Sequence, residues 1–325
     1  MTHDAITLKS IPDIALAAPF MLGYWPDSSV CVIVIDADGG VLLIMRWHID
    51  APDVPPQIPL ADASAAHAFH VVVYPTSGVD AGPELGEQGP WTRVIDEIAA
   101  RGIPLGHLVL ASQDPSGVVA VTGGAATGIS TTMHLDKELI AEIGGRWDLV
   151  GWVGSRAEYV ADIAPDPCLV EEVAAALRDA EPIDEQRRDA AIDTVLESLI
   201  AADVTPQSIA GIIVGLADIR VRDTVLWELM HAHVDVWSEA ADSLAEVVSG
   251  SPEDHVAAPA TLLAILRWQQ GDGSRAAAAV ERAITADPTY SLADLINRCL
   301  LVGLHPNTWV ESLVGLTRDA CRRAA

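Results

Sequence analysis

Hydrophobic positions in the first half of the chain fall into short unbroken apolar runs separated by helix-period patterns. Residues 29–35 (SVCVIVI) and 41–47 (VLLIMRW) are two such runs, joined by Asp36-Ala37-Asp38-Gly39-Gly40. That linker predicts a hairpin, because glycine accepts the positive φ a tight turn needs. Pro12-Asp13-Ile14 opens a short amphipathic helix that runs to Met21. A proline-rich link (Pro52, Pro55, Pro56, Pro59) is followed by a strand over 69–74 and a Gly/Pro loop over 76–90. A helix over 91–101, strands over 107–111 and 117–121, a helix over 137–143 and an apolar run over 149–153 continue the alternation. Ser155 and Glu158 have capping-box spacing at the start of a further helix. A hairpin inside such an alternation predicts an α/β domain, a mixed sheet with flanking helices, in place of a purely parallel doubly wound sheet.

Beyond residue 165 the period is helical throughout, so the pattern predicts a mixed α/β domain over 1–165 and an all-helical domain over 166–325. Helices are expected over 168–179, 184–201, 206–230, 236–248, 256–269, 273–286, 291–303 and 308–323. Thr205-Pro206 reads as a cap followed by proline at the first helical position, and Ser291 with Asp294 as a second capping pair. Within 256–290, Trp268 precedes a turn at Gln270-Gly271-Asp272, Ala276 and Ala283 recur at a seven-residue spacing, and Asp287-Pro288 stops the second helix. Small residues at that spacing share a helix face and let a neighbouring helix approach. Proline cannot continue a helix. This hairpin resembles the second half of a tetratricopeptide repeat, a unit whose resemblance implies a binding surface. No further repeat is evident, so one or two hairpins on a bundle are expected and not a long solenoid.

Charge narrows the function classes. Nineteen Lys+Arg stand against 46 Asp+Glu, a formal net charge of −27, and Lys9 and Lys137 are the two lysines. Both halves share the deficit. No basic stripe remains to displace counterions from a nucleic-acid backbone, so direct nucleic-acid binding is not expected. The same numbers allow an acidic mimic of DNA as a third reading, beside the simpler one of a well-solvated surface. Half the residues are hydrophobic, yet no apolar run reaches the roughly 18–20 residues of a membrane span, and Met1-Thr2-His3-Asp4 does not open a signal peptide. A cytoplasmic location is expected. Cys31, Cys168, Cys299 and Cys321 show no pairing pattern and read as buried apolar residues or free thiols.

Several motifs invite chemistry. His231-Ala232-His233-Val234-Asp235 has the composition of a metal site, but side chains at i and i+2 diverge by about 200° on a helix, and its surroundings are helical. Gly123, Gly124, Gly128 and Ser130 have the spacing of a phosphate-binding loop, with Ile129 where such a loop carries lysine. This is the candidate ligand loop of an alternative reading, a nucleotide- or metal-dependent hydrolase using residues 123–130 with Asp36 or His48. Asp36 and Asp38 have a simpler explanation in the turn itself. His67 and His70 lie three apart at the strand over 69–74, without a nucleophile motif. Arg220, Arg222 and Asp223 are expected in interhelix salt bridges or caps, or at a partner surface. Nine tryptophans against two phenylalanines are mostly core, with Trp25 and Trp91 in loops as possible anchors. No catalytic residue, metal ligand or cofactor is assigned.

Five blocks carry a resemblance that spans nearly the whole chain: Phe20-Met-Leu-Gly-Tyr-Trp-Pro-Asp-Ser-Ser29, Val153-Gly-Ser-Arg-Ala-Glu158, Ala164-Pro-Asp-Pro167, Leu216-Ala-Asp-Ile-Arg-Val-Arg-Asp223, and the hairpin from Trp268 to Pro288. Together they resemble the actinobacterial domain-of-unknown-function family 4192; residues 76–135 match it least. The resemblance implies an actinobacterial or phage source and no particular chemistry. The expectation is a protein-interaction or scaffold protein acting through its helical domain, with a protein partner or a second copy. Arg220, Arg222, Trp268, Gly271, Ala276 and Ala283 are its candidate binding residues.

Overall fold

The computed structural model describes residues 6–49, 65–76, 91–123, 130–149, 151–202 and 204–323. They form two compact units, Met1–Tyr159 and Val160–Ala325.

The first unit is a mixed six-stranded sheet with helices. Its strands are β1 (Ser29–Ile35), β2 (Val41–His48), β3 (Ala68–Tyr74), β4 (Leu105–Asp114), β5 (Gly117–Gly123) and β6 (Ser130–Asp136), in the order β2-β1-β3-β4-β5-β6. Only β3 and β4 run parallel, and the helix between them in the chain, α2 (Thr92–Ala99), supplies the long connection that a parallel pair requires. Strand β1 is buried along its whole length. Because side chains alternate, Cys31, Ile33 and Ile35 enter one core with Val72, Tyr74 and Val109, while Val30, Val32 and Val34 enter another with Phe69, Val71 and Val73. The first core is covered by α1 (Ile11–Leu22) and α3 (Lys137–Arg146) through Leu16, Phe20 and Ile143; the second is covered by α2 through Val94 and Ile98. A short helix, α4 (Arg156–Tyr159), ends the unit.

Polar groups fix α1 in place. Ser10 caps it by accepting the Asp13 N–H. The Asp13 carboxylate is fully buried, accepts the Lys9 N–H at 2.9 Å and binds Arg146 of α3 at 2.6 Å. Burying that charge is tolerable because both contacts compensate its lost hydration. The Tyr74 hydroxyl donates to the Ala15 carbonyl at 2.9 Å, pinning the same helix to β3.

The second unit contains ten helices among the described residues: α5 (Pro167–Asp179), α6 (Arg188–Ile200), α7 (Pro206–Ala217), α8 (Ile219–His231), α9 (Trp237–Gly250), α10 (Ala257–Gln269), α11 (Gly273–Ala286), α12 (Ser291–Leu301), α13 (Pro306–Ser312) and α14 (Arg318–Arg323). The first nine of them, α5 to α13, share one core, with members from Val173 to Trp309. Helix α10 is its axis, with every residue from Pro259 to Trp268 buried. Thr205 and Ser208 form a full capping box at α7 with Pro206 at the first position, as the Thr205-Pro206 pair predicts.

Four local expectations are corrected. Residues 206–230 are two helices, because Asp218 takes an extended conformation, ends α7 and caps α8 through the N–H groups of Arg220 and Val221. Residues 130–136, where the sequence pattern predicts no strand, form β6, whose polar Ser/Thr residues pair along β5. The apolar run over 149–153, read as continuing the alternation, adds no strand at its described residues, 149 and 151–153, where Val153 makes one isolated bridge to Tyr24. Ser291 does not cap α12: the N-cap is Tyr290, and the Asp294 carboxylate instead accepts from Arg298 at 2.5 Å.

Candidate functional site

The sheet register decides which candidate residues can meet in the first unit. Ser29, His48, Tyr74, Asp114, Gly117 and Asp136 stand at the end where the parallel strands β3 and β4 finish. Ile35, Ala68, Leu105, Gly123 and Ser130 stand at the other. His48 is therefore at the end opposite the 123–130 segment, and the two are not brought together. Gly123 and Ser130 are paired strand ends; Gly124 and Gly128 lie outside the described residues. Asp36 is at the same end as that segment, but Oδ1 of its carboxylate accepts the N–H groups of Asp38 at 2.9 Å and Gly40 at 2.8 Å, which closes the turn.

The histidines separate by burial. His67 is exposed. His70 is buried on β3 against Gly106, its ring stacked 5.4 Å from that of His107, and its Nδ1 has no hydrogen-bond partner. Burial, with His107 adding to it, pushes the His70 pKa down to about 4, so the ring is neutral near pH 7. Cys31 is equally removed from water, and burial pushes its thiol up to about 12. Trp25, a candidate anchor, is core: its ring meets Tyr74 edge-on at 5.1 Å and lies 5.9 Å from Trp152. Trp91 is half-buried.

At the end where β4 finishes there is a groove of about 610 Å³. It is lined by Lys137, Ile140, Ala141, Gly144 and Gly145 of α3 and by Phe20 and Trp152, whose rings meet edge-on at 4.9 Å, with Phe20 packed against Gly144. The β4–β5 turn supplies Gln113, Pro115 and Gly117. Gly117 leaves no room for a side chain, since a Cβ there would lie 2.0 Å from the Leu135 carbonyl oxygen. No predicted residue points to this groove. It is assembled from four separated stretches of chain, so no local motif marks it.

In the second unit the 216–223 block meets the chain just beyond the Trp268–Pro288 hairpin. Arg222 of α8 donates to the Tyr290 hydroxyl at 2.7 Å and stacks over its ring at 5.6 Å, where the hairpin chain passes into α12. The same guanidinium forks onto Oδ1 of Asp223 at 2.8 and 2.7 Å. Burial raises the Tyr290 pKa, and the Arg222 contact opposes that shift without cancelling it. Arg220 sits one turn before Thr224, whose hydroxyl donates to its carbonyl. Asp218 binds Arg188 of α6 at 2.9 Å. Burial alone would raise its pKa, but Arg188 and the two N–H groups hold the carboxyl below its ordinary value.

Trp268, Ala276 and Ala283 are buried in the core of this unit, Trp268 lying 6.1 Å from Trp309. Ala276 and Ala283 are thereby spent on the packing of α11 within the unit. Gly271 is exposed in the α10–α11 turn with φ +85°, the left-handed geometry that favours glycine. These four residues do not converge with Arg220 and Arg222 on one exposed surface patch. In the His231–Asp235 motif, α8 ends at His231, whose ring stacks on Trp227 at 4.4 Å and bonds its carbonyl. Among the described residues no group of three or more His, Cys, Asp or Glu side chains is placed to hold a metal ion, and no helix is long and apolar enough to cross a membrane.

Neither a curated protein nor a solved structure matches this chain. One family model does, over residues 12–307, and it takes in both the sheet and the helices through the start of α13. The chain belongs to the family described as Domain of unknown function (DUF4192).

Proposed function

We propose that this chain is a protein-interaction scaffold that works in the cytoplasm through its helical unit, and that the first partner of that unit is a second copy of the chain. The carrying observation is where its exposed apolar residues lie. Of nine large hydrophobic side chains exposed among the described residues, five fall within 295–316: Leu295, Leu301, Val302, Val314 and Leu316, with Val314 78% and Leu301 61% accessible. Scattered exposed apolar residues need no explanation, but a concentration of them is characteristic of a contact surface. The charge of the same region favours self-association. In a two-fold dimer one patch meets its own copy, so a strongly charged patch repels itself. Residues 291–323 carry four arginines (Arg298, Arg318, Arg322, Arg323) against three carboxylates (Asp294, Glu311, Asp319), in a chain whose net charge is −27.

The resemblance of the α10–α11 hairpin to a tetratricopeptide half-repeat supports the same reading, since such units occur in proteins that bind other proteins. The low lysine content, two of nineteen basic residues, supports an actinobacterial or phage source. Sedimentation velocity of the full chain over a concentration series tests the proposal. A mass that doubles with concentration, and stays single in a Leu301→Glu/Val314→Glu variant with unchanged circular dichroism, is expected. A single-chain mass at every concentration, or dimerisation unaffected by the two glutamates, overturns it.

A further inference from the structure

We propose that the groove between α1, α3 and the β4–β5 turn is a small-molecule site, and that its ligand is a carboxylate on a flat aromatic body. The volume, about 610 Å³, lies within the roughly 300–1,000 Å³ of small-molecule pockets. Its make-up has the usual division of labour, with apolar walls and few polar groups. Phe20, Trp152, Leu149 and Ile140 supply apolar and aromatic surface, and Gly144, Gly145 and Ala141 keep the α3 wall low and flat. The Phe20 ring is buried and held edge-on to Trp152 at 4.9 Å, which fixes the half-buried Trp152 indole as the aromatic surface a flat ligand can stack on.

Charge selects the polar end of the ligand. Lys137 is the one charged residue of the lining, and no carboxylate lines the groove among the described residues. In a chain of net charge −27 with two lysines, this is an exception to the prevailing sign. No hydrogen bond or ion pair engages the Lys137 ammonium among the described residues, whereas the arginines at Arg146, Arg188 and Arg222 are committed to Asp13, Asp218 and Asp223. An anion reaching Lys137 therefore displaces no internal partner. The N-terminus of α3 is already capped, the Asp136 carboxylate accepting the Leu139 N–H at 2.9 Å, so the positive charge of the lining is that of Lys137. Gln113 is the other polar side chain of the lining and carries an amide donor. The placement also fits a general rule of sheets with parallel strands, in which ligands lie beyond the carboxyl ends of the strands, here β3 and β4. This inference is independent of the scaffold proposal, which concerns the other unit.

The test is isothermal titration of the full chain with 2-naphthoate, and with 2-naphthalenemethanol as its neutral counterpart. Saturable binding of the naphthoate is expected, with the alcohol weaker by about tenfold, the scale of one charge-assisted contact near the surface. Lys137→Met should cost the naphthoate a similar factor and leave the alcohol unchanged, and Lys9→Met should alter neither. Lys137 is exposed, so its replacement does not threaten folding. Ala141→Trp, which fills the groove from an exposed position on α3, should abolish binding of both compounds. Absence of naphthoate binding, equal affinity for the two compounds, or affinity untouched by Lys137→Met would each overturn the assignment.

Discussion

The buried imidazole of His70 makes a quantitative claim about acid stability. In the folded chain its pKa is about 4, against an ordinary 6.5, because the ring is removed from water and stands against His107. In the unfolded chain it is an ordinary histidine. As pH falls through 6.5 the unfolded state takes up a proton that the folded state refuses, so stability is full above that pH and is lost as pH falls from 6.5 toward 4. At 1.36 kcal/mol per pKa unit the whole effect amounts to about 3 kcal/mol, with about 2 kcal/mol of it expressed between pH 7.5 and pH 5. These are upper figures, since water reaching the ring past the exposed His107 would reduce them. Replacing His70 by leucine puts an apolar side chain at this buried site and removes the titrating group together with an Nδ1 that has no partner. We expect His70→Leu to be at least as stable as the parent at pH 7.5 and to lose about 2 kcal/mol less on going to pH 5. Cys31 reports unfolding of this unit alone. It lies beside β3, paired with Val72, it is fully buried, and the other three cysteines belong to the helical unit. Its labelling by 4,4′-dithiodipyridine, a reagent active at both pH values, is followed as a function of urea and read at Cys31 by peptide mass spectrometry, since the exposed Cys168 reacts without unfolding. Equal losses of stability in parent and variant would refute the reasoning.

Two further outcomes are expected. Gly117→Ala places a methyl 2.0 Å from the Leu135 carbonyl of the neighbouring strand, so β5 and β6 must separate locally, at a cost of about 1–3 kcal/mol in the same Cys31 assay. Tyr290→Phe keeps the ring under Arg222 and deletes the hydroxyl bond, and urea unfolding of the helical unit, followed by hydrogen exchange of α8 and α12, should show a loss of about 1 kcal/mol.

The fold was legible wherever local signals agree. The apolar runs 29–35 and 41–47 with Asp36 and the glycines between them specify a hairpin at every level, and β1 and β2 form it, with one register shift between Val34 and Ile35. Legibility failed where a residue's role depends on a distant partner. Asp218 interrupts a continuous helical period because its carboxylate serves two N–H groups and Arg188 of another helix at once, and nothing local announces that last contact. Residues 130–136 lack an apolar run because they form an edge strand, one of whose flanks has no neighbour in the sheet. Trp25 resembles a loop anchor until Tyr74 and Trp152 are seen around it. The groove was illegible for the same reason: Phe20, Gln113, Lys137 and Trp152 are far apart in the chain. The singularity of Lys137 as one of two lysines was its one visible trace.

The strand order has a consequence for how this unit comes into being. Apart from the exchange of β1 and β2 at one edge, the strands stand side by side in the order in which the chain runs. During synthesis on the ribosome, each emerging strand therefore finds its docking edge already in place, on the strand made immediately before it or, for β3, on the free flank of the first hairpin. No late segment has to thread between two finished neighbours. The α2 crossover is the longest excursion before a new pairing is made, so the entropy of chain closure is met in small instalments. At each stage the next strand is added at one growing edge, while β2 holds the opposite edge from the first hairpin onward.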